Sequence, residues 1–180
     1  MKIIIFGGSG SGTTTLAQSL AEKLQYEHLD VDEFYWVQTI VPYQIKIARS
    51  QRVNRLRKAL EASENVVVSG SLVNWGEYWS SAFDLGVLLY LPPDVRMERL
   101  RKREVMRYGD QLQSDPDLKA QSEEFLNWAQ QYDNPSFDGR NIAEHKKWAK
   151  SLNCHCLEIG DLSNEQRISE VLKAMKLHEV

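Results

Sequence analysis

The residues best suited to bind a phosphate group form a glycine-rich turn, GGSGSG, between Gly7 and Gly12. Closely spaced glycines allow successive backbone N–H groups to converge on one anion. The turn follows the apolar run KIIIF and precedes leucines at helical spacing. A helix start adds free N–H donors and the positive end of its dipole. Strand, glycine turn and helix in this order predict a nucleotide phosphate loop, the name used below for residues 7–15.

The phosphate loop departs from the full motif at one position. Its last glycine is followed by Thr13 and Thr14, where the motif has a lysine and then Ser or Thr. Thr14 keeps the hydroxyl expected to ligate Mg²⁺. The residues predicted to bind ATP here are Gly7, Gly8, Ser9, Gly10, Ser11, Gly12, Thr13, Thr14 and Thr15. Losing one charge at a transition state typically costs about 10²–10³ in rate, so either another cation replaces the lysine or the protein binds ATP without useful catalysis.

A dinucleotide-binding loop is the rival interpretation, because it also joins a strand to a helix through glycines. Its acidic residue stands about 20 positions further on, where Asp30 or Asp32 would fit. That fingerprint also requires a third glycine, and the two possible frames have Thr13 or Thr15 there. We therefore favour ATP as the ligand and keep an NAD-type oxidoreductase as a less favoured hypothesis.

Two carboxylates, Asp30 and Asp32, end a second predicted strand in the stretch HLDVDEFYW. A carboxylate beside the phosphate loop can accept a proton from an attacking hydroxyl or hold a water on Mg²⁺. Helix capping or simple solvation is the alternative. Trp36 and the aromatic residues before it either line an acceptor pocket or pack in the core, and His28 is interpreted as structural.

Arginines dominate the stretch RMERLRKREVMR, which spans residues 96–107. Arg99, Arg103 and Arg107 recur at helical spacing on one face, and we expect Arg96, like its neighbours, to find few acids to pair with. Such a stripe can clamp a transferring phosphoryl group, although a solvated helix face is the usual reading. An earlier basic helix, which carries Arg49 and Arg52, could bind an acceptor phosphate or, as a less favoured alternative, nucleic-acid phosphates; an ordinary surface helix is equally expected.

Five short apolar runs alternate with helical patterns, which predicts an α/β fold with a parallel sheet covered on both faces. The predicted strands are 2–6, 27–32, 65–70, 85–92 and 154–159, and the predicted helices are 13–24, 46–62, 94–108, 118–132, 139–152 and 164–177. In such sheets ligands bind beyond the carboxyl ends of the strands. The phosphate loop and both aspartates stand at such ends.

Composition restricts the function classes. The 180 residues suit one domain, and the net charge of −3 makes bulk binding of nucleic acid or an anionic membrane unfavourable. No apolar run is long enough to span a bilayer, so we expect a cytoplasmic protein. Cys154 and Cys156 are interpreted as reduced thiols on a buried strand, because a metal site needs more ligands than they offer.

Taken together, the phosphate loop, HLDVDEFYW, NVVVSGS and LYLPPDVRMERLRKR resemble the adenylate-kinase-like P-loop kinases. The later segments EEFLNWAQQY and CLEIGDLSNEQRISEVL are most similar to the adenylate-kinase-related topology modulation proteins. The resemblance covers nearly the whole chain. It implies a three-layer P-loop NTPase fold with a parallel five-stranded sheet, in one domain over residues 1–180 with a helical lid at roughly 101–140. It also implies MgATP-dependent transfer of a phosphoryl group to a nucleotide, nucleoside or small metabolite.

The resemblance also assigns roles. It implies that Arg99 contacts adenine together with the Gly160–Asp161 loop, that Arg103 contacts phosphates, and that Arg107, with Arg140 as a weaker candidate, comes from the lid. Adenylate kinases carry an acceptor-binding arginine after the third strand, but SGSLVNW here has none, so AMP is not the predicted acceptor. The residues predicted to be catalytic are Asp32, Arg103 and Arg107, and those predicted to face the acceptor are Asp30, Asp32, Trp36, Arg49, Gly70 and Trp75. Stacking on an acceptor ring and packing stay open for Trp75 and Trp79.

Overall fold

The apolar runs form one parallel sheet in the computed structural model, which describes residues 1–177. Its strands are β1 (Lys2–Gly7), β2 (Glu27–Asp30), β3 (Val66–Ser69), β4 (Leu85–Leu89) and β5 (His155–Ile159), in the spatial order β2-β3-β1-β4-β5. The central strand β1 is covered on both faces, because Ile3 to Phe6 are fully buried. The predicted five-stranded parallel sheet is therefore confirmed.

Helices cover the two faces of the sheet and build a third group at one end. They are α1 (Thr13–Leu24), α2 (Val31–Tyr35), α3 (Arg49–Ala62), α4 (Pro93–Tyr108), α5 (Gln111–Ser114), α6 (Pro116–Gln130), α7 (Ile142–Ser151) and α8 (Asn164–Leu177), with 3₁₀ turns at Glu77–Ser80 and Gln131–Asp133. Leucines and valines of α1 and α8 pack on one face of the sheet, and side chains of α3 and α7 pack on the other. These layers match the expected three-layer P-loop NTPase fold.

A smaller apolar cluster spans the start of the range expected for the lid, since two of its residues precede position 101. Met97 and Leu100 of α4 pack against Ala129 of α6, with Phe125 at the edge. The exposed sides of these helices are strongly charged. The boundaries 101–140 stay a prediction, because packing of this kind does not define how far a lid moves.

The second predicted strand extends two residues beyond the end of the observed strand. β2 ends at Asp30, whose Oδ1 accepts a hydrogen bond from Asp32 N at 2.9 Å, and α2 follows. A carboxylate that caps a helix in this way satisfies an N–H group that has no partner inside the helix. Asp32 therefore lies in the first turn of a helix rather than on a strand. The third helix begins at Arg49 instead of residue 46, since Lys46 pairs with Trp36 in an isolated antiparallel bridge.

A buried hydrogen-bond chain joins α7 to the segments after β3 and α6. The Tyr132 hydroxyl lies 2.6 Å from His145 Nδ1, and His145 Nε2 lies 2.8 Å from Ser71 Oγ. Burial raises the pKa of Tyr132, so its hydroxyl stays protonated. A neutral imidazole has one donor and one acceptor nitrogen, and the hydroxyl on each side of His145 can complement either tautomer. Burial, followed by the charge of Arg140, lowers the pKa of His145 to about 3, so the ring is neutral.

Acidification is expected to destabilise the protein through His145. The folded-state pKa of about 3 lies below the ordinary histidine value of 6.5, so the unfolded chain binds the proton first. The contribution of His145 is complete above pH 6.5 and is lost as the pH falls towards 3. The slope approaches about 1.4 kcal/mol per pH unit in this window. Urea unfolding between about pH 7 and about pH 5 should show a steeper loss for the wild type than for His145→Gln, which keeps a neutral donor and acceptor. Parallel profiles would mean that the pKa of His145 is the same in the folded and unfolded states.

Candidate active site

The phosphate loop turns sharply between the end of β1 and the start of α1. Gly10 and Gly12 have φ values of +84° and +92°, and a Cβ on Gly10 would come within 2.8 Å of the Arg96 carbonyl oxygen. Ser11 N donates to Gly8 O at 3.0 Å, and α1 begins after Gly12. The first N–H groups of a helix have no intrahelical acceptor. Left-handed glycines next to free N–H groups give a backbone suited to an anion.

Thr14 connects the phosphate loop to the carboxyl end of β2. Its Oγ1 donates to Asp30 Oδ2 at 3.1 Å, while the other oxygen of Asp30 caps α2. A threonine hydroxyl and a carboxylate are the oxygen ligands that Mg²⁺ prefers, and this ion usually takes only one or two protein carboxylates. The donor set at Thr14 and Asp30 therefore fits Mg²⁺. Among residues 1–177 there is no cluster of three or more His, Cys, Asp or Glu side chains that would suit a metal.

Asp32 lies within electrostatic range of Arg103, Arg107 and Arg140, and the region around these four residues is called the cleft below. Burial by surrounding protein atoms, followed by the charge of Asp30, raises the pKa of Asp32. Arg140, Arg103 and Arg107 oppose this rise, with Arg140 contributing most. Solvent still reaches the Asp32 carboxylate through the cleft, so the rise is smaller than closed burial would produce. The structure thus brings together the three residues predicted to be catalytic and adds Arg140.

The arginines of this group are held in different ways. Arg107 donates to Glu104 Oε1 at 3.3 Å, and its guanidinium lies 4.9 Å from the centre of the Tyr43 ring. Arg103 lies 5.6 Å from the Phe125 ring centre. Burial lowers the pKa of Arg140, while the charge of Asp32 acts to raise it. Arg107 is engaged by Glu104 and Tyr43, whereas Arg140 lies 5.8 Å from the Trp128 ring centre and is influenced by Asp32 more than by any other neighbouring group.

A second charged group lies beside the start of α1. Arg99 Nη1 is 4.0 Å from the place a Cβ on Gly12 would take, and Arg167 Nη1 is 3.3 Å from it. Arg167 also donates from Nη2 to Gly160 O at 3.3 Å. Burial and then the charge of Arg99 lower the pKa of Arg167, against the influence of Asp161. Arg99 and the Gly160–Asp161 loop, which were predicted to meet at the base of ATP, therefore lie on one side of the phosphate loop.

The sequence profile of the AAA domain family matches residues 3–125. YqaC of Bacillus subtilis (strain 168), an uncharacterized protein, is 39% identical over 172 residues, which cover 95% of each chain. A cytidylate kinase from Archaeoglobus fulgidus is 32% identical over 115 residues, or 58% of this chain and 62% of that enzyme. The chain belongs to the adenylate-kinase-like P-loop kinase superfamily. The narrower likeness to topology modulation proteins stays a prediction.

The fold of this superfamily member also matches solved kinases. A crystal structure of shikimate kinase from Bacteroides thetaiotaomicron aligns with a TM-score of 0.56 at 16% identity, over 98% of each chain. At that identity the likeness concerns the fold alone. No helix within residues 1–177 is both long and apolar enough to cross a membrane.

Near the residues predicted to face the acceptor of this P-loop protein, Arg52, which the sequence did not single out within its basic helix, packs against two aromatic rings. The Arg52 guanidinium is 4.0 Å from the centre of the Tyr35 ring and 5.1 Å from that of Trp75, and Arg52 Nε is buried without a hydrogen-bond partner. Arg49, the predicted acceptor contact, instead donates to Asn74 O at 2.7 Å. Arg52 was one of several basic residues in a surface-like helix, so no pattern in the sequence distinguished it.

The other residues predicted to face the acceptor lie either in the core or near the edge of the cleft. Trp79 is fully buried and Trp75 is 6% exposed, so both pack in the core, and Trp75 keeps one face on Arg52. Trp36 is half-buried and borders Tyr43 at 5.8 Å between ring centres. Gly70 has a φ of +110°, and a Cβ there would lie 2.8 Å from that of Val31. Gly70 therefore permits the close approach of β3 and α2.

The expectation for Arg96 was wrong. Its side chain is fully buried, forms an ion pair with Asp133 and lies 4.7 Å from the Tyr132 ring centre. Arg96 also donates from Nη1 to Ser9 O at 3.2 Å and thereby supports the phosphate loop. Its acid partner comes from the distant turn after α6, so the local sequence gave no sign of it. His28 bonds Ser69 Oγ at 2.9 Å, which fits its structural interpretation. Cys154 and Cys156 are free thiols, but the expected buried strand is wrong for them, since Cys154 precedes the edge strand β5 and both residues are only half-buried.

Proposed function

We propose that the protein transfers the γ-phosphoryl group of ATP to a small acceptor, which is a nucleotide, a nucleoside or another metabolite. One observation carries this proposal. Thr14 at the start of α1 is hydrogen-bonded to Asp30, and the neighbouring Asp32 faces arginines across the same cleft. A phosphate site, a candidate proton acceptor and cations for the transferring group thus adjoin one another.

The proposed ATP site uses backbone groups first. The amides from Gly10 to Thr14 hold the β-phosphate, and Arg99 with the Gly160–Asp161 loop receives the base. Thr14 and Asp30 would hold Mg²⁺, which neutralises phosphate charge when bound. This assignment does not require a lysine at position 13, because backbone N–H groups and the helix start already favour an anion.

The proposed reaction moves one proton and one phosphoryl group. Asp32 takes the proton from the acceptor hydroxyl, whose oxygen attacks the γ-phosphorus. The bond to the β–γ bridging oxygen breaks, and ADP leaves. A carboxylate whose pKa is raised is a stronger base than an ordinary aspartate, while the adjoining arginines stabilise negative charge on the transferring group.

The proposed acceptor carries an anionic group. Arg52 has a buried N–H without a partner, and no carboxylate forms an ion pair with it among the described residues. A guanidinium packed against two aromatic rings suits a phosphate or a carboxylate, because its planar fork is preorganised for two parallel hydrogen bonds. This cation would take the role of the acceptor arginine that is absent after β3.

Thermal unfolding with a ligand panel tests the proposal. We expect MgADP and MgATP at about 100 times their Kd to stabilise the wild type by about 2.7 kcal/mol, and NAD to give no shift. Thr14→Val should lose most of the Mg²⁺-dependent part of the shift, whereas the same change at exposed Thr39 should not. If only NAD stabilises the protein, an oxidoreductase replaces this proposal.

ADP release in the presence of nucleoside monophosphates, nucleosides, sugars and small carboxylic acids then identifies the acceptor. Turnover with an anionic member of the panel supports the kinase. Tight MgADP binding without turnover on any acceptor would instead favour an ATP-binding regulator, the alternative that Thr13 suggests. In that case Thr13→Lys should create measurable ATP hydrolysis.

A further inference from the structure

Two buried arginines donate hydrogen bonds to carbonyl groups of the phosphate loop. Arg96 of α4 donates to Ser9 O at 3.2 Å, and Arg167 of α8 donates from Nη1 to Ser11 O at 3.0 Å. Arg96 is fully buried and Arg167 is 4% exposed. The loop is therefore held from two helices that are far apart in sequence, and both contacts are made by guanidinium groups.

Each of these carbonyls shares a peptide unit with an amide that points the opposite way. The Ser9 carbonyl is joined to Gly10 N–H, and the Ser11 carbonyl is joined to Gly12 N–H. In a trans peptide the C=O and N–H groups point in opposite directions. A cation on the oxygen polarises the whole unit, which makes the amide a stronger hydrogen-bond donor. Both arginines thus strengthen donors of the phosphate loop without entering the place of the anion.

The two arginines differ in how their charge is balanced. Arg96 is paired with Asp133, so its charge is largely neutralised nearby. Arg167 has no ion-pair partner among residues 1–177, and Asp161 acts on it only at longer range. Its Nε is buried without a hydrogen-bond partner, and Arg99 adds a second positive charge beside it. An anion in the phosphate loop would relieve the repulsion between Arg99 and Arg167.

We propose that Arg167 is a positioning residue that supplies, through the Ser11–Gly12 peptide, positive charge that the phosphate loop lacks at Thr13. This inference rests on the proposed binding of a polyphosphate. In the simpler alternative, Arg167 only ties α8 and the Gly160 carbonyl to the loop. A lysine at position 13 distinguishes the electrostatic role of Arg167 from the purely structural one. The lysine can replace the missing positive charge, but it cannot replace the hydrogen bonds that link α8 and Gly160 to the loop.

Calorimetric titration with MgADP is the test. We expect Arg167→Gln to weaken binding about tenfold or more, as for loss of a hydrogen bond to a charged group. Thr13→Lys in the Arg167→Gln protein should restore the Kd to within about threefold of the wild type, and the two changes should be non-additive. Lys176→Gln, which removes one exposed charge from the other end of α8, is the matched control and should bind like the wild type.

Amide proton shifts of the ADP-bound protein give a second readout. Arg167→Gln should move the Gly12 amide upfield and leave Gly10, which is joined to the Arg96-bound carbonyl, unchanged. If Arg167→Gln does not fold, Arg167→Lys carries the test. Lysine keeps the charge and loses the fork, so we expect a loss below about threefold; a loss of tenfold or more would assign Arg167 to the tie alone.

The outcomes separate this inference from the proposed function. A wild-type protein that does not bind MgADP contradicts the function itself. A wild type that binds, with an equally tight Arg167→Gln variant, overturns the inference and leaves the function standing. The inference is also overturned if Arg167→Gln binds MgADP weakly and Thr13→Lys does not restore the affinity. That result would assign Arg167 a purely structural role.

Discussion

Replacing Asp32 with asparagine is expected to lower kcat for phosphoryl transfer by about 10³-fold, within the range for loss of a general base. The Kd for MgADP should change less than about threefold, because no contact of the proposed ADP site uses this side chain. Asparagine keeps the size of the side chain and cannot accept the proton. The loss should therefore appear in kcat and kcat/KM together.

The position of Asp32 explains why this carboxylate is favoured over Asp30. Asp30 already accepts hydrogen bonds from Thr14 and from the Asp32 amide, so both of its oxygens are engaged. Among residues 1–177, no group forms a hydrogen bond with the Asp32 carboxylate, and this residue is exposed to solvent. The pKa of Asp32 is raised, chiefly by burial and by Asp30, which increases its strength as a base.

The pH profile of kcat should carry the same signature. Only ionised Asp32 can accept a proton, so the wild-type rate should fall with a slope of one as the pH drops below its raised pKa. Asp32→Asn should lack this limb. Glu33→Gln removes the same charge from the next, exposed residue of α2 and serves as the control, with nearly wild-type turnover expected. Equal losses in the two variants would mean that a general charge effect, and not proton transfer, explains the result.

Much of the fold could be predicted because its signals are local. The helix bounds Thr13–Leu24 follow from the glycine turn before them and from leucines at helical spacing. The central strands are continuous apolar runs, as buried parallel strands usually are. The end of β2 could not be predicted in this way, because LDVD alternates like a strand while Asp30 caps a helix. The hydrogen bond from the Asp32 amide to Asp30 therefore starts a helix where the alternating pattern predicted a strand.

The supports of the site could not be predicted, since they join distant parts of the chain. Arg167 and the Ser11 carbonyl are 156 residues apart in sequence, and Arg96 and the Ser9 carbonyl are 87 apart. Within one arginine-rich run, Arg96 is buried while Arg99 is exposed. The spacing of residues in the sequence does not distinguish these arginines from one another. Their difference arises because the start of α4 lies against the phosphate loop.

Arg140 is expected to supply the largest share of the transition-state charge, and Arg140→Met should lower kcat by about 10²–10³-fold. Of the three arginines that act on Asp32, Arg140 has the strongest influence. It stands directly before Asn141, whose Oδ1 caps α7 by accepting from Glu144 N at 2.9 Å. The cap fixes the backbone next to Arg140, at the end of the range expected for the lid.

The comparison with Arg107→Gln makes this prediction specific. Arg107 is paired with Glu104 and covered by Tyr43, so its loss should lower kcat less than that of Arg140. Arg140→Lys keeps the charge and should recover part of the rate. The charge of Arg140 also lowers the pKa of His145, so Arg140→Met should weaken the acid destabilisation assigned to that histidine. If this stability effect appears but kcat is unchanged, Arg140 lies where the structure places it and yet does not serve the transferring phosphoryl group.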